Sequence, residues 1–278
     1  MSTPPPIPLS IALEYGHVDA AKLLLTHGAV AKHYVGRRSY WAHESSPILL
    51  YMEHGGNEAD MINMLVHAGD NATYSNWTYL NRNYIPVTPI EAAVVLMKDM
   101  KCANNLIATL SKDELEAECR QACKSNNVNI IKALMTHSEV CLGTILYTLV
   151  SCKHINTIKW LLTYKNIDLG VLYNKRTTLH YAVMYKRHDM VEMLLEYVMK
   201  EYGPARTKQL IDRTDIIPCM HLAAKRNDIK MMDILERYGA NINVTVGKRK
   251  PQTTLDIATD ADKEEAIKWL NIRINNND

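Results

Sequence analysis

The apolar positions of this chain fall into a recurring order. Residues 177–195 read TTLHYAVMYKRHDMVEMLL, in which a short apolar run yields to polar residues and then to the doublets Met190-Val191 and Leu194-Leu195. Apolar residues at i, i+1, i+4 and i+5 share one stripe of a helix. The order returns in residues 217–235 (IPCMHLAAKRNDIKMMDIL), 7–25 (IPLSIALEYGHVDAAKLLL) and 253–270 (TTLDIATDADKEEAIKWL). Each copy has a Thr or Pro, an apolar residue, and Ala three positions later; two apolar residues follow eight and nine beyond that Ala, and Leu twelve beyond. The pattern predicts a short helix, a stop at Gly or Asn (Gly16, Asn126-Asn127, Asn227), and a second helix. One such pair cannot bury its stripe alone, so neighbours are expected to stack.

With the Ala position as anchor, weaker copies come into line at Ala12, Tyr51, Ala93, Ala122, Leu149, Ala182, Ala223 and Ala258, spaced 39, 42, 29, 27, 33, 41 and 35 residues apart. Copies one, six and seven hold the pattern best; three, four and five are degenerate, and two and three carry small insertions between their helices. This pattern resembles the ankyrin repeat, whose signature T-P-L-H-x-A has a period of about 33 residues. Copy seven closes on Tyr238-Gly239-Ala240-Asn241-Ile242-Asn243, which is similar to the family's ending. The resemblance covers residues 7–270 and implies one all-α domain over 1–278, an ankyrin-repeat solenoid of stacked helix-turn-helix units with short β-hairpin fingers. It also implies structural roles for His180 and His221, at the histidine of the signature, through bonds to backbone and neighbouring hydroxyls. The last copy, with Asp260, Asp262, Lys263, Glu264, Glu265 and Lys268, has the polar outer face of a C-terminal cap. At the other end Ile11, Leu13, Leu23 and Leu24 have no preceding copy; either the Pro-rich lead covers them or the chain is an excerpt of something longer.

Composition narrows the function. Apolar residues make up 47% of the chain, which fits a folded protein. A net charge of +2 argues against a dedicated nucleic-acid binder. Residues 141–278 hold 21 basic and 16 acidic side chains, so that half is mildly basic. No apolar run is long enough to span a membrane, and residues 1–8 have no secretory character. Six cysteines without close pairing suit a reducing compartment, so a cytoplasmic location is expected, with the nucleus or a host cytoplasm as variants. There is no Phe among 15 Tyr, 14 Met and 4 Trp, so aromatic packing falls to Tyr and Trp.

No catalytic constellation is found. Cys119 and Cys123 could present two thiolates from one helix face, or pack as small buried residues at a seam. His17, His27, His33, His43, His54 and His67 match no metal spacing. Gly247-Lys-Arg-Lys250 lacks the frame of a phosphate loop. Glu114, Glu116 and Glu118 sit where acids favour a helix start. The chain is therefore expected to be no enzyme and to take no cofactor, metal or small-molecule substrate, with a Cys/His enzyme or metal-dependent regulator as the alternative.

Recognition of a protein partner remains. Per-repeat insertions map to loops on one face, often the binding face. The segments 32–43 and 73–84 are enlarged fingers holding two of the 4 Trp and five of the 15 Tyr. Tyr, Trp and Arg are enriched at binding hot spots. Arg37, Arg38, Tyr40, Trp41, Tyr74, Trp77, Tyr79, Arg82 and Tyr84 are therefore the expected partner-binding residues. A second set, Tyr185, Lys186, Arg187, Lys225 and Arg226, is expected at equivalent positions of copies six and seven, forming a basic strip. The expectation is a monomeric scaffold or adaptor that works through a concave face and these fingers. Its divergent repeats resemble those of ankyrin proteins from large DNA viruses and intracellular bacteria, as well as diverged eukaryotic ones.

Overall fold

The computed structural model describes residues 8–31, 34–35, 44–70, 76–80, 83–96, 98–137, 140–164, 167–247 and 251–275. Residues 1–140 and 141–278 form two compact units. In the first, the helices are α1 (Pro8–Glu14), α2 (Val18–Thr26), α3 (Pro47–Glu53), α4 (Ala59–His67), α5 (Pro89–Glu91, continued by a π turn Ala92–Leu96), α6 (Met100–Ala108), α7 (Lys112–Lys124) and α8 (Val128–Leu134). In the second they are α9 (Leu142–Ser151), α10 (Ile155–Tyr164), α11 (Thr178–Met184), α12 (His188–Ile211), α13 (Cys219–Lys225), α14 (Ile229–Arg237), α15 (Thr254–Asp260) and α16 (Glu264–Asn275). Among the described residues, strands are confined to three antiparallel hairpins, β1 (Tyr34–Val35) with β2 (Glu44–Ser45), β3 (Asn76–Leu80) with β4 (Asn83–Val87), and β5 (Leu172–Tyr173) with β6 (Arg176–Thr177). The predicted helix pairs are thus present, eight of them among the described residues.

Stacking follows the stripes. In the second unit the first helices run α9–α11–α13–α15 and the second helices α10–α12–α14–α16, each against the next. In the first unit α2–α4–α6–α8 forms the corresponding row. Leu194, Leu195, Met220 and Leu235 are fully buried between pairs, as the stripe requires. All eight anchors, from Ala12 to Ala258, are buried.

The turn between paired helices is built one way throughout. A residue with φ between 53° and 78° stands four after the anchor at Gly16, Gly55, Asn126, Lys186, Asn227 and Asp262, and Lys153 does the same at 64°. This left-handed residue ends the first helix and redirects the chain into the second. In copy three it comes five after the anchor, at Lys98, because the π turn absorbs one residue. That π turn is the insertion the sequence predicts there. In copy two the insertion has another cause. The anchor is Tyr51, a large ring where Ala is usual, and a Cβ on Gly56 would fall 2.3 Å from that ring. The widened turn makes room, and the Tyr51 hydroxyl accepts from the Glu58 amide at 3.2 Å.

Finger bases are tied to the helices. The buried Asp70 carboxylate accepts from Ser46 Oγ and from the Ile48 amide, both at 2.7 Å, and Ser46 caps α3. The Ala31 amide donates to Ala68 O at 2.8 Å. β3 and β4 pair over five residues each, with Trp77 opposite Pro86 and Tyr79 opposite Tyr84, and β2 lies beside β3. The 41-residue spacing from Ala182 to Ala223 is filled differently. There the second helix continues as α12 for 24 residues, broken at Gly203 (φ 79°, ψ 178°) ahead of Pro204.

Candidate partner-binding surfaces

In the second unit the side chains of three elements meet in a band of four tyrosines. Thr177 starts α11: its Oγ accepts from the His180 amide at 3.4 Å, and its hydroxyl bonds His180 Nδ1 at 2.6 Å. His180 Nε2 donates to Ile217 O at 2.9 Å. The next copy repeats the device, with His221 Nε2 donating to Gln252 O at 3.3 Å and Thr254 Oγ at 3.2 Å from His221 Nδ1. Burial pushes His180 down to about 4 and lowers His221, so both rings are neutral struts, as the signature implies. With α11 so fixed, Tyr181 comes to 4.5 Å from Tyr147 of α9, edge to face, and Tyr147 stacks on Tyr173 of the hairpin at 4.8 Å. Asn174 and Lys175, both left-handed (φ 46° and 60°), make the tight turn that sets Tyr173 there. Tyr181 donates to Tyr173 O at 2.9 Å, and Tyr147 and Tyr185 share a hydroxyl contact of 3.4 Å. Tyr181 is buried, Tyr147 and Tyr173 half-buried, and Tyr185 exposed. That hydroxyl contact raises the Tyr147 pKa and burial raises that of Tyr181, so these two phenols stay neutral.

Cations border the band. Lys153, Lys175, Lys186, Lys225 and Arg226 are exposed, and none makes an ion pair among the described residues. α9, α11 and α13 contain no Asp or Glu. Nearby acids are engaged: Asp215 holds Arg213 at 2.6 and 2.9 Å, and Asp228 accepts from His188 at 2.8 Å and caps α14. Beside the hairpin turn a hollow of about 250 Å³ has Lys175 and Arg176 on its rim and Ile216, Ile217 and Leu222 in its lining.

The second expected set is brought together with one correction. Lys186 Nζ reaches Arg226 O at 3.4 Å, so the turns of copies six and seven do touch. Only Tyr185 and Arg226, each three after its anchor, are at equivalent positions, however. The left-handed site aligns Lys186 with Asn227 and Arg187 with Asp228. Arg187 is half-buried rather than solvated: Nη2 donates to Ser151 O at 3.4 Å, and Nε is buried without a hydrogen bond. Of the first expected set, Arg37, Arg38, Tyr40, Trp41, Tyr74 and Arg82 lie outside the described residues, while Trp77, Tyr79 and Tyr84 fall on β3 and β4. Tyr147, Tyr173 and Tyr181 were not legible as a group, because only stacking brings α9, the hairpin and α11 together.

A second hollow of about 560 Å³ lies under the α12 extension, lined by Asp168, Arg206, Asp212, Arg213 and Asp215 among others. Arg206 pairs with Asp168 at 3.1 Å and Arg213 with Asp215, while Asp212 accepts from the Asn241 amide. Cys119 and Cys123 are buried, the packing reading of that pair, and among the described residues no three His, Cys, Asp or Glu are grouped to hold a metal. Burial pushes the Cys102 thiol up to about 12 and, with Glu91 nearby, Glu118 up to about 7. No helix among the described residues is long and apolar enough to cross a membrane.

These features define a helix-pair repeat protein with hairpin fingers. Residues 119–206 match the family model described as ankyrin repeats in three copies, which supports an ankyrin-repeat protein. The matched stretch takes in copies four and five, the degenerate ones, and leaves out copy seven; within it the anchors Ala122, Leu149 and Ala182 stand 27 and 33 residues apart, without long insertions. Ankyrin repeats generally mediate protein–protein interaction. No curated protein matches the chain.

Proposed function

We propose that this chain is a non-enzymatic scaffold or adaptor that holds a protein partner through its two N-terminal fingers, acting as a cytoplasmic monomer. The observation that supports the reading is the neighbouring of β2 and β3, strands that belong to or border the two sequence segments rich in Tyr, Trp and Arg. Arg37, Arg38, Tyr40, Trp41, Tyr74, Trp77, Tyr79, Arg82 and Tyr84 supply the contact. Their aromatic rings bury a large area for few rotatable bonds, and their guanidinium groups supply directed donors. A host-directed role, as in the pathogen ankyrin proteins its irregular repeats resemble, is in keeping with this.

The test compares the intact chain with Trp41→Ala/Trp77→Ala against a partner captured by the intact chain and then purified. Loss of two aromatic anchors should weaken binding at least about tenfold. The melting temperature should be nearly unchanged, since the described ties at the finger bases run through Asp70, Ser46 and Ala31. Lost stability with affinity retained would mean that the aromatics only staple the loops.

A further inference from the structure

The geometry points to a second contact surface in residues 141–278, built for an acidic peptide segment with an apolar side chain. It deepens the partner-binding reading above and rests on it. The surface runs from the hollow beside the hairpin turn, across the tyrosine band, to the turns after α11 and α13. The steps are joined: Asn174 and Lys175 line the hollow next to Tyr173, Tyr173 O accepts from Tyr181, Tyr181 stacks with Tyr185, and Lys186 touches Arg226.

Three features choose the occupant. The first is charge. Lys153, Lys175, Lys186, Lys225 and Arg226 are exposed cations without ion pairs among the described residues, in the hairpin turn or at the C-terminal ends of first helices that carry no acid. Complementary potentials favour carboxylates there and would repel a basic segment. The second is the hollow of about 250 Å³, whose apolar lining of Ile216, Ile217 and Leu222 suits one aliphatic or aromatic side chain beneath the Lys175–Arg176 rim. The third is the tyrosine band itself. Its rings are held by stacking, a preorganised surface that pays little ordering entropy on binding. A nucleic acid is disfavoured: the cations are spread one or two per helix pair, and the chain's net charge is only +2.

An array of acidic peptides, with one Leu or Trp walked through Asp and Glu, is probed with the full-length chain beside the same array in Asn and Gln. The strongest acidic sequence is then titrated by fluorescence anisotropy. It should bind while its amide counterpart does not, and Lys175→Glu/Lys186→Glu should weaken it at least about tenfold. Lys200→Glu/Lys230→Glu makes the same charge change on exposed residues of α12 and α14 and should leave affinity within about twofold. Tyr185→Ala should weaken the acidic peptide while leaving the fold intact by circular dichroism. Equal binding of acidic and amide arrays, no binding to either, equal loss in both charge variants, or stronger competition by a single-stranded oligonucleotide would each overturn the inference. Trp41→Ala/Trp77→Ala should still bind the acidic peptide. If the peptide arm fails while that finger variant still loses the captured partner, the acidic surface falls and the finger reading stands.

Discussion

The left-handed residue of each helix-pair turn is where single substitutions read most directly on the fold. Most residues lose energy there, because Cβ crowds the following carbonyl, while Gly does not. Lys153, at φ 64° and exposed, should therefore be improved by Lys153→Gly, raising stability by up to about 1 kcal/mol in urea titration. The opposite change at Gly16 should cost more than about 1 kcal/mol, since φ is 73° and the new Cβ would lie 3.0 Å from His54 Nδ1. His54 Nε2 bonds Glu14 O at 3.0 Å, so that ring cannot move without losing a tie between copies one and two. In the core, Leu194→Ala should cost about 2–5 kcal/mol, the range for truncating a buried leucine. A loss under about 0.5 kcal/mol would show that the stripe of copy six is not where it is placed here.

Among the elements, α12 departs most from the repeat. Its continuation past Val198 fills the 41-residue spacing with helix instead of a hairpin. Gly203 makes this possible with φ 79° and ψ 178°, a combination that side chains hardly adopt. No atom lies within 4 Å of a Cβ built there, so Gly203→Ala should act through the backbone alone, at more than about 1 kcal/mol. Faster hydrogen exchange should be confined to Gly203–Ile211 and the Asn241 amide, which Asp212 accepts at 3.0 and 3.2 Å. Protection unchanged along that segment would refute the account. The sequence carried the helix pairs well, because the doublets and the small anchor state the period directly. It did not say what an insertion becomes. The long spacing ahead of Ala223 held a Gly-Pro step that could end a helix or restart one, and only packing of Leu210 and Ile211 against the unit decides for the restart. The tyrosine band was hidden for the same reason: Tyr181 and Tyr185 share a helix face, but Tyr147 and Tyr173 join them across chain separations that periodicity does not report.

For the molecule entire, the two units should answer acid in opposite senses. His180 in the second unit has its pKa pushed down to about 4 by burial. Below pH 6.5 the unfolded chain takes up this proton and the folded one does not, so stability falls from about pH 6.5 towards 4. His221 adds a change of the same sign. Glu118 in the first unit is pushed up to about 7. Between about pH 4.5 and 7 its folded form keeps a proton that the unfolded chain gives up, so acidification there adds stability. Each effect is roughly 3 kcal/mol by the size of the shift. Unfolding followed by hydrogen exchange at pH 7.5 and pH 5 should show the second unit losing protection and the first gaining it. Glu118→Gln should remove the gain, and His180→Gln should flatten the loss; a uniform change in both units would contradict the assignment.

The tyrosine band also gives the second unit an optical signature. Rings 4.5 and 4.8 Å apart at fixed angles couple their electronic transitions, and a fixed chiral arrangement makes that coupling visible as near-ultraviolet dichroism. With no phenylalanine in the chain, the sharp phenylalanine bands on the short-wavelength side of the tyrosine region are absent. Tyr147→Leu, which removes the ring common to both contacts, should abolish the coupled component while leaving the helical far-ultraviolet bands in place. Ligands that seat against the band should then be detectable without any label, as a change in the sign or depth of a signal native to the protein.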